Sequence, residues 1–335
     1  MTGLRRTLLA GGLLALAGAC TPQVQFGGTI LVAPELRPDF IQTADGTLLP
    51  LRAWLPRGKP KAVILGLHGM NDYGKSFAMP AERWRQEGIA TYAYDQRGYG
   101  NTPQRGVWPG TDRLVADFVT AVALVRARHP GVPIYASGTS MGGGVVLAAM
   151  ARPDAPKLDG IILEAPAVWS RATMPAYYTA TLWLASHSLP QMHLSGRELQ
   201  RVVTDNKEVL RDLSRDPMVL KGARVDAIYG VVDLMDAAFA AAPNVKVPVL
   251  LLYGEKDQII PKEPIVAVAR RLPPGLKRVA VYEKGYHLLY RDLQAEVVHR
   301  DVIAWVANRA APLPSGADTG KGARNIAGQP SANGQ

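Results

Sequence analysis

The chain has a single cysteine, Cys20, so no disulfide can form within a monomer and the fold must rest on a buried apolar core. It shows no internal repeat, which sets aside solenoids and propellers. The apolar run from Leu8 to Leu16 is too short to span a membrane. No grouping of His, Cys, Asp and Glu has metal-ligand spacing, and the Gly-rich run Asp95 to Gly100 is not followed by the Lys-Ser or Lys-Thr that a P-loop demands. The chain is basic, with a formal net charge of +10, yet its Lys and Arg are scattered. They read as solvated surface, with attraction to anionic lipid head groups as the alternative, and no nucleic-acid motif accompanies them. No metal site is expected from these spacings, and none of these features calls for an organic cofactor.

With 335 residues and 47% hydrophobic content, the chain can build one large α/β domain carrying an insertion. Strand-like and helical runs alternate, which predicts a mostly parallel central sheet covered by helices on both faces. Phe40 to Leu55 reads as two strands joined through Asp45-Gly46. Ser76 to Glu87, a run from Thr111 to about Arg128, and Leu293 to Arg309 have helical apolar spacing, with Thr111 as a cap.

Gly138-Thr139-Ser140-Met141-Gly142 joins the strand-like Pro133 to Ser137 to the small-residue helical run Gly143 to Ala151. This context predicts a nucleophile elbow, a sharp turn whose flanking glycines avoid clashes and which exposes Ser140 at the positive end of a helix. Asp257 follows the apolar run Val247 to Tyr253, and His287 follows Arg278 to Tyr282. Both fall where parallel sheets place their chemistry, beyond strand carboxyl ends, in the chain order serine, acid, histidine. Glu255, Asp233 and Asp236 are weaker candidates for the acid. His299, His129, His187 and His193 lie in helical, helix-end or inserted segments.

His68-Gly69-Met70, Asp95-Gln96-Arg97-Gly98-Tyr99-Gly100, the elbow, Gly254-Glu255-Lys256-Asp257 and Gly285-Tyr286-His287 together resemble the α/β-hydrolases of the monoacylglycerol lipase and lysophospholipase group, often labelled serine aminopeptidase-like. The resemblance spans most of residues 60 to 290. It implies an α/β-hydrolase fold with a helical cap, and an oxyanion hole built from the backbone N–H groups of Met70 and Met141. It also implies a small lipid or other ester as substrate, cleaved through an acyl-serine intermediate with Ser140, His287 and Asp257 as catalytic residues. His68 then reads as a turn residue, and Asp95 and Arg97 as loop braces. The loop after Asp95 lacks the second histidine of the lipase proper, so it matches the broader family. Two other functions stand beside this one. A serine aminopeptidase would need a carboxylate cluster for a free α-amine, for which Asp72 and Glu164 are the candidates. A non-enzymatic envelope lipoprotein would use the fold as a scaffold.

The first residues carry a second resemblance. Met1 to Arg6 is basic, Leu8 to Leu16 is apolar, and Ala17-Gly18-Ala19 leads to Cys20. This resembles a bacterial lipoprotein signal and implies a protein of the cell envelope, facing periplasm or exterior and anchored to a membrane through lipidated Cys20. The expected organisation is a signal over 1–19, a tether over 20–34 and a hydrolase core over 35–165 and 247–310. A helical cap spans 166–246, and a disordered, Gly- and Ser-rich tail spans 311–335. Trp169, Tyr177, Tyr178, Leu182, Trp183 and Leu184 crowd the first part of the cap, either as core packing or as an acyl-binding or membrane-facing surface.

Overall fold

A computed structural model describes residues 21–25, 28–29, 31–195 and 201–328. The signal-like segment 1–19 and Cys20 lie outside the described residues. The strands are β1 (Glu35–Leu36), β2 (Phe40–Gln42), β3 (Leu48–Trp54), β4 (Ala62–Leu67), β5 (Ile89–Tyr94), β6 (Ile134–Thr139), β7 (Gly160–Glu164), β8 (His193–Ser195), β9 (Gly222–Arg224), β10 (Val249–Gly254) and β11 (Lys277–Tyr282). The principal sheet has the order β1-β2-β3-β5-β4-β6-β7-β10-β11. Its first strands run antiparallel, and β5 through β11 are parallel.

The strands β4, β6 and β10 are buried along their whole length, which is why β4 and β10 read as continuous apolar runs rather than alternating ones. Successive side chains still serve opposite faces. Val63, Leu65, Ile134, Ala136, Val249 and Leu251 join one core with α2 (Thr111–Arg128), α3 (Met141–Met150) and α7 (Lys262–Arg271). Ile64, Tyr135, Leu250 and Leu252 join the other with α1 (Ala78–Gln86) and α8 (Ala295–Ala307). Helices therefore cover both faces, as an α/β alternation requires.

Between β7 and β10 lie α4 (Ala176–Ser188), α5 (Lys207–Arg215), α6 (Val225–Ala241) and the antiparallel pair β8–β9, whose strands flank α5 in the chain. Asn206 caps α5 by accepting from the N–H groups of Glu208 and Val209. Through Ala227, Val231, Leu234 and Ala238, α6 is built into the main core, so it seats the inserted segment on α3.

Three expectations need correction. The run from Ala311 is folded as far as Gly328: α9 (Lys321–Ala327) buries Ala323 and Ile326, and Leu313 is buried as well. The tail also supplies the Ala317 carbonyl to the Val281 N–H of the edge strand β11, at 3.0 Å. A few buried side chains and an unpaired sheet edge suffice where average composition predicts disorder. The described part of 21–34 is not a free tether, because Val24 bridges to Trp108 and the Gln25 N–H donates to Trp108 O at 2.9 Å. Finally, Gly110 occupies the position before α2 with φ 89°, so Thr111 begins the helix rather than capping it.

Candidate active site

Ser140 stands between β6 and α3 with φ 52° and ψ −115°, a conformation that costs an L-residue roughly 1–3 kcal/mol. The surroundings hold it there: its N–H donates to Glu164 O at 2.8 Å, and its carbonyl accepts from Ala167 N–H at 2.8 Å and Gly144 N–H at 3.1 Å. Both elbow glycines are sterically required. A Cβ on Gly142 would stand 2.1 Å from Leu67 O, and one on Gly138 would stand 2.5 Å from the Gly142 carbonyl. Four non-glycine residues have positive φ among the described residues, and three of them, Asn71, Ser140 and Ala165, follow the carboxyl ends of β4, β6 and β7. Backbone strain thus gathers at one end of the sheet.

Asp257 and His287 lie beyond that same end, past β10 and β11. The Asp257 side chain is fully buried. One oxygen, Oδ1, accepts from the N–H groups of Ile259 (2.7 Å) and Ile260 (3.1 Å), which fixes the carboxylate plane. The other, Oδ2, lies 2.8 Å from His287 Nδ1. The two loops approach this closely because Gly254 has no side chain; a Cβ there would stand 2.4 Å from Tyr286 O. No hydrogen bond joins Ser140 Oγ to the His287 ring among the described residues, so the row is closed from carboxylate to imidazole and open at the hydroxyl.

The competing groups are engaged elsewhere. Glu255 pairs with Lys262, and Asp233 and Asp236 pair with Arg171. His129 bonds Tyr92, His187 bonds Trp183 O, His299 bonds Tyr290 O, and His193 lies exposed on β8.

His68 shapes the turn after β4. Its Nε2 accepts from the Gln96 N–H at 2.9 Å, leaving Nδ1 to donate to Gly69 O at 2.8 Å. Burial pushes its pKa down, so it is neutral and bonded at both nitrogens. Gln96 Nε2 returns a bond to His68 O at 2.7 Å, tying this turn to the Asp95–Gly100 loop. That loop is braced in turn: Asp95 accepts from Arg52 and Gly74, and Arg97 bonds Asp117, Asp45 and Thr43. The result brings Gly69 against the serine, where a Cβ would stand 3.4 Å from Ser140 Cβ. Among the described residues neither Met70 N–H nor Met141 N–H has an acceptor, and Met141 opens the positive end of α3.

Asp72 and Glu164 are not held out to an amine. Asp72 Oδ2 pairs with Arg291 at 2.5 Å and Oδ1 accepts from Tyr73 N–H at 2.9 Å. Glu164, 1% exposed, accepts from the Thr139 hydroxyl and from Tyr290 N–H, and burial pushes its carboxyl up to about 7. These contacts to Thr139, Tyr290 and Arg291 were not legible from sequence. The one signal was a carboxylate closing the buried run Gly160-Ile161-Ile162-Leu163. No group of three His, Cys, Asp or Glu side chains among the described residues could hold a metal ion.

In the inserted segment the aromatic cluster is largely solvent-facing: Tyr177, Tyr178, Trp183 and Leu184 are 44–65% exposed. They do not pack as core. A depression of ≈ 510 Å³ along α4 is lined by Met174, Ala176, Ala180 and Trp183 together with Arg171 and Thr179.

A mostly parallel sheet with helices on both faces, a strained serine turn after β6 and an acid–histidine pair after the last two strands define an α/β-hydrolase. The sequence pattern of the family described as Serine aminopeptidase, S33 matches residues 58–294, and the chain belongs to that family. The chain is similar to Monoglyceride lipase of Rattus norvegicus, at 28% identity over 276 residues, 80% of this chain and 89% of the relative. It is 26% identical to Monoacylglycerol lipase of Mycolicibacterium smegmatis over 265 residues, 78% of this chain and 94% of the relative. In fold it resembles a soluble variant of Monoglyceride lipase from Saccharomyces cerevisiae solved with a substrate analog. That match has a TM-score of 0.69 and 20% identity, covering 84% of this chain and 98% of the other.

Proposed function

We propose that this chain hydrolyses carboxylic esters of lipid type, monoacylglycerols or lysophospholipids, through an acyl-serine intermediate on Ser140. The observation that carries the reading is the 2.8 Å contact between His287 Nδ1 and Asp257 Oδ2. An ionised carboxylate bonded at Nδ1 keeps the proton there and leaves Nε2 as the basic nitrogen. That nitrogen takes the Ser140 proton as Oγ bonds the acyl carbon, and Asp257 stabilises the imidazolium that results. The developing oxyanion accepts from the Met70 and Met141 N–H groups, neither of which has a protein acceptor among the described residues. As the tetrahedral centre collapses, His287 gives its proton to the departing alcohol. Water then enters, loses a proton to His287 and releases the carboxylic acid, regenerating the serine.

The lipid character of the substrate is supported by the relatives' names and by the exposed apolar residues of α4. The engagement of Asp72 and Glu164 argues against an aminopeptidase, which needs carboxylates free to bind an α-amine. Hydrolysis of p-nitrophenyl esters of graded chain length by wild type and Ser140→Ala, beside an aminoacyl anilide, tests the reading. Ester turnover that needs Ser140 is the expected result. Anilide turnover supports the peptidase, and turnover of neither supports a scaffold.

The enzyme is further proposed to be held in the bacterial envelope through lipidated Cys20. What supports this is the basic start, the short apolar core and the small residues before the cysteine. Cys20→Ala should move the protein from the membrane to the soluble fraction and abolish palmitate incorporation; an unchanged distribution contradicts it.

A further inference from the structure

We infer that Glu164 is a positioning residue, whose buried carboxylate latches the serine-bearing turn to the histidine-bearing loop. The inference rests on the hydrolase reading above. In the sheet, β7 lies between β6 and β10, and Glu164 is in register with Thr139 on one side and Leu252 on the other. A side chain at the carboxyl end of β7 therefore stands between the strand that delivers the serine and the two that deliver the acid and the histidine.

Glu164 uses three acceptor atoms there. Its backbone carbonyl takes the Ser140 N–H at 2.8 Å. Oε2 takes the hydroxyl of Thr139, the residue before the serine. Oε1 takes the N–H of Tyr290, in the loop that carries His287, at 2.8 Å. Tyr290 is fastened further: its hydroxyl bonds Ser137 at 2.9 Å and its carbonyl accepts from His299 Nε2 at 3.0 Å. One residue thus touches both turns, and an apolar side chain could touch neither by hydrogen bonds.

A carboxylate with 1% exposure is costly to bury, so an apolar residue would be favoured at this position if packing alone were at stake. Burial pushes the Glu164 carboxyl up, while Thr139, the Tyr290 N–H, Arg291 and His287 pull it back toward the ionised form, leaving it at about 7. These are the groups that face it from β6 and from the loop after β11, with Arg291 itself paired to Asp72. In its ionised form Glu164 accepts both side-chain bonds and favours the imidazolium that forms on His287.

The test compares Glu164→Gln with wild type in ester hydrolysis across pH, with rates expressed per site titrated by a fluorophosphonate. A loosened geometry should lower kcat on the order of 10–100-fold with KM within about twofold. Removing the charge should also move the acid limb of kcat/KM to lower pH, a readout that lost stability alone does not produce. Wild-type kcat per titrated site with an unmoved acid limb overturns the inference. If Glu164→Gln does not fold, Thr139→Val decides: it removes one donor to the carboxylate, so a lowered kcat at constant KM supports the latch and an unchanged kcat overturns it. A wild type that turns over no ester sinks the hydrolase reading underneath, an outcome distinct from either variant result.

Discussion

His287 Nδ1 and Asp257 Oδ2 lie 2.8 Å apart, and the second oxygen of Asp257 is already bound by two backbone N–H groups. The carboxylate cannot rotate without giving up those bonds, so the imidazole is presented in one tautomer and one orientation.

Replacing Asp257 by Asn keeps the shape but allows the amide to donate to Nδ1, which moves the ring proton to Nε2. On the order of a 10⁴-fold loss in kcat is expected, with little change in Tm. Steady-state kinetics beside thermal melting separates this from misfolding.

The elbow makes a steric prediction. Gly142→Ala places a Cβ 2.1 Å from a backbone oxygen that cannot swing away, so the turn must distort. A stability loss of about 1–3 kcal/mol or more is expected, together with loss of activity. Gly275→Ala, where a Cβ meets nothing within 4 Å, is the matched control and should leave the urea midpoint nearly unchanged.

The folded tail makes another. Ile326 is fully buried in the core on the α7 face of the sheet. Ile326→Ala should cost about 2–5 kcal/mol, read from urea denaturation. A cost near zero would mean that α9 is not docked in solution.

Burial pushes His299 down to about 4, and its Nε2 bonds a carbonyl, so the folded protein keeps it neutral. Between that value and the ordinary histidine range the unfolded chain binds a proton that the folded chain refuses. Its contribution to stability is therefore present above about pH 6.5 and lost on acidification towards 4, a loss of roughly 3 kcal/mol. Comparing wild type with His299→Gln in urea at pH 7 and pH 4 isolates this term; the variant should lose less on acidification.

The parts of this molecule that declared themselves in sequence are those where local pattern and chemistry coincide. The buried strands β4 and β10 are continuous apolar runs, and the elbow pairs two glycines with a serine between a strand and a helix. The order Ser140, Asp257, His287 located the acid and histidine loops that the structure brings into contact. Other features depend on partners distant in the chain. Ala323 and Ile326 are too few to raise the average hydrophobicity of 311–335, yet the open edge of β11 and a waiting apolar surface fold residues 311–328. Gln25 docks because Trp108 and Val107 offer carbonyls that no local pattern announces. Glu164 looked like a possible amine ligand because its contacts with Thr139 and Tyr290 join three separate stretches of chain. The aromatic run of α4 is ambiguous in sequence, since core and surface helices both use such residues, and its exposure becomes visible only in three dimensions.

In the proposed reaction every acyl group passes through Ser140. Mixing enzyme with an excess of a slowly deacylated p-nitrophenyl ester, quenching in acid and measuring intact and peptide masses reads that step directly. One acyl group per chain is expected on the peptide containing Ser140, absent in Ser140→Ala, whose kcat should fall on the order of 10⁶-fold. An acyl group on another residue, or ester turnover by Ser140→Ala at the wild-type rate, would contradict it.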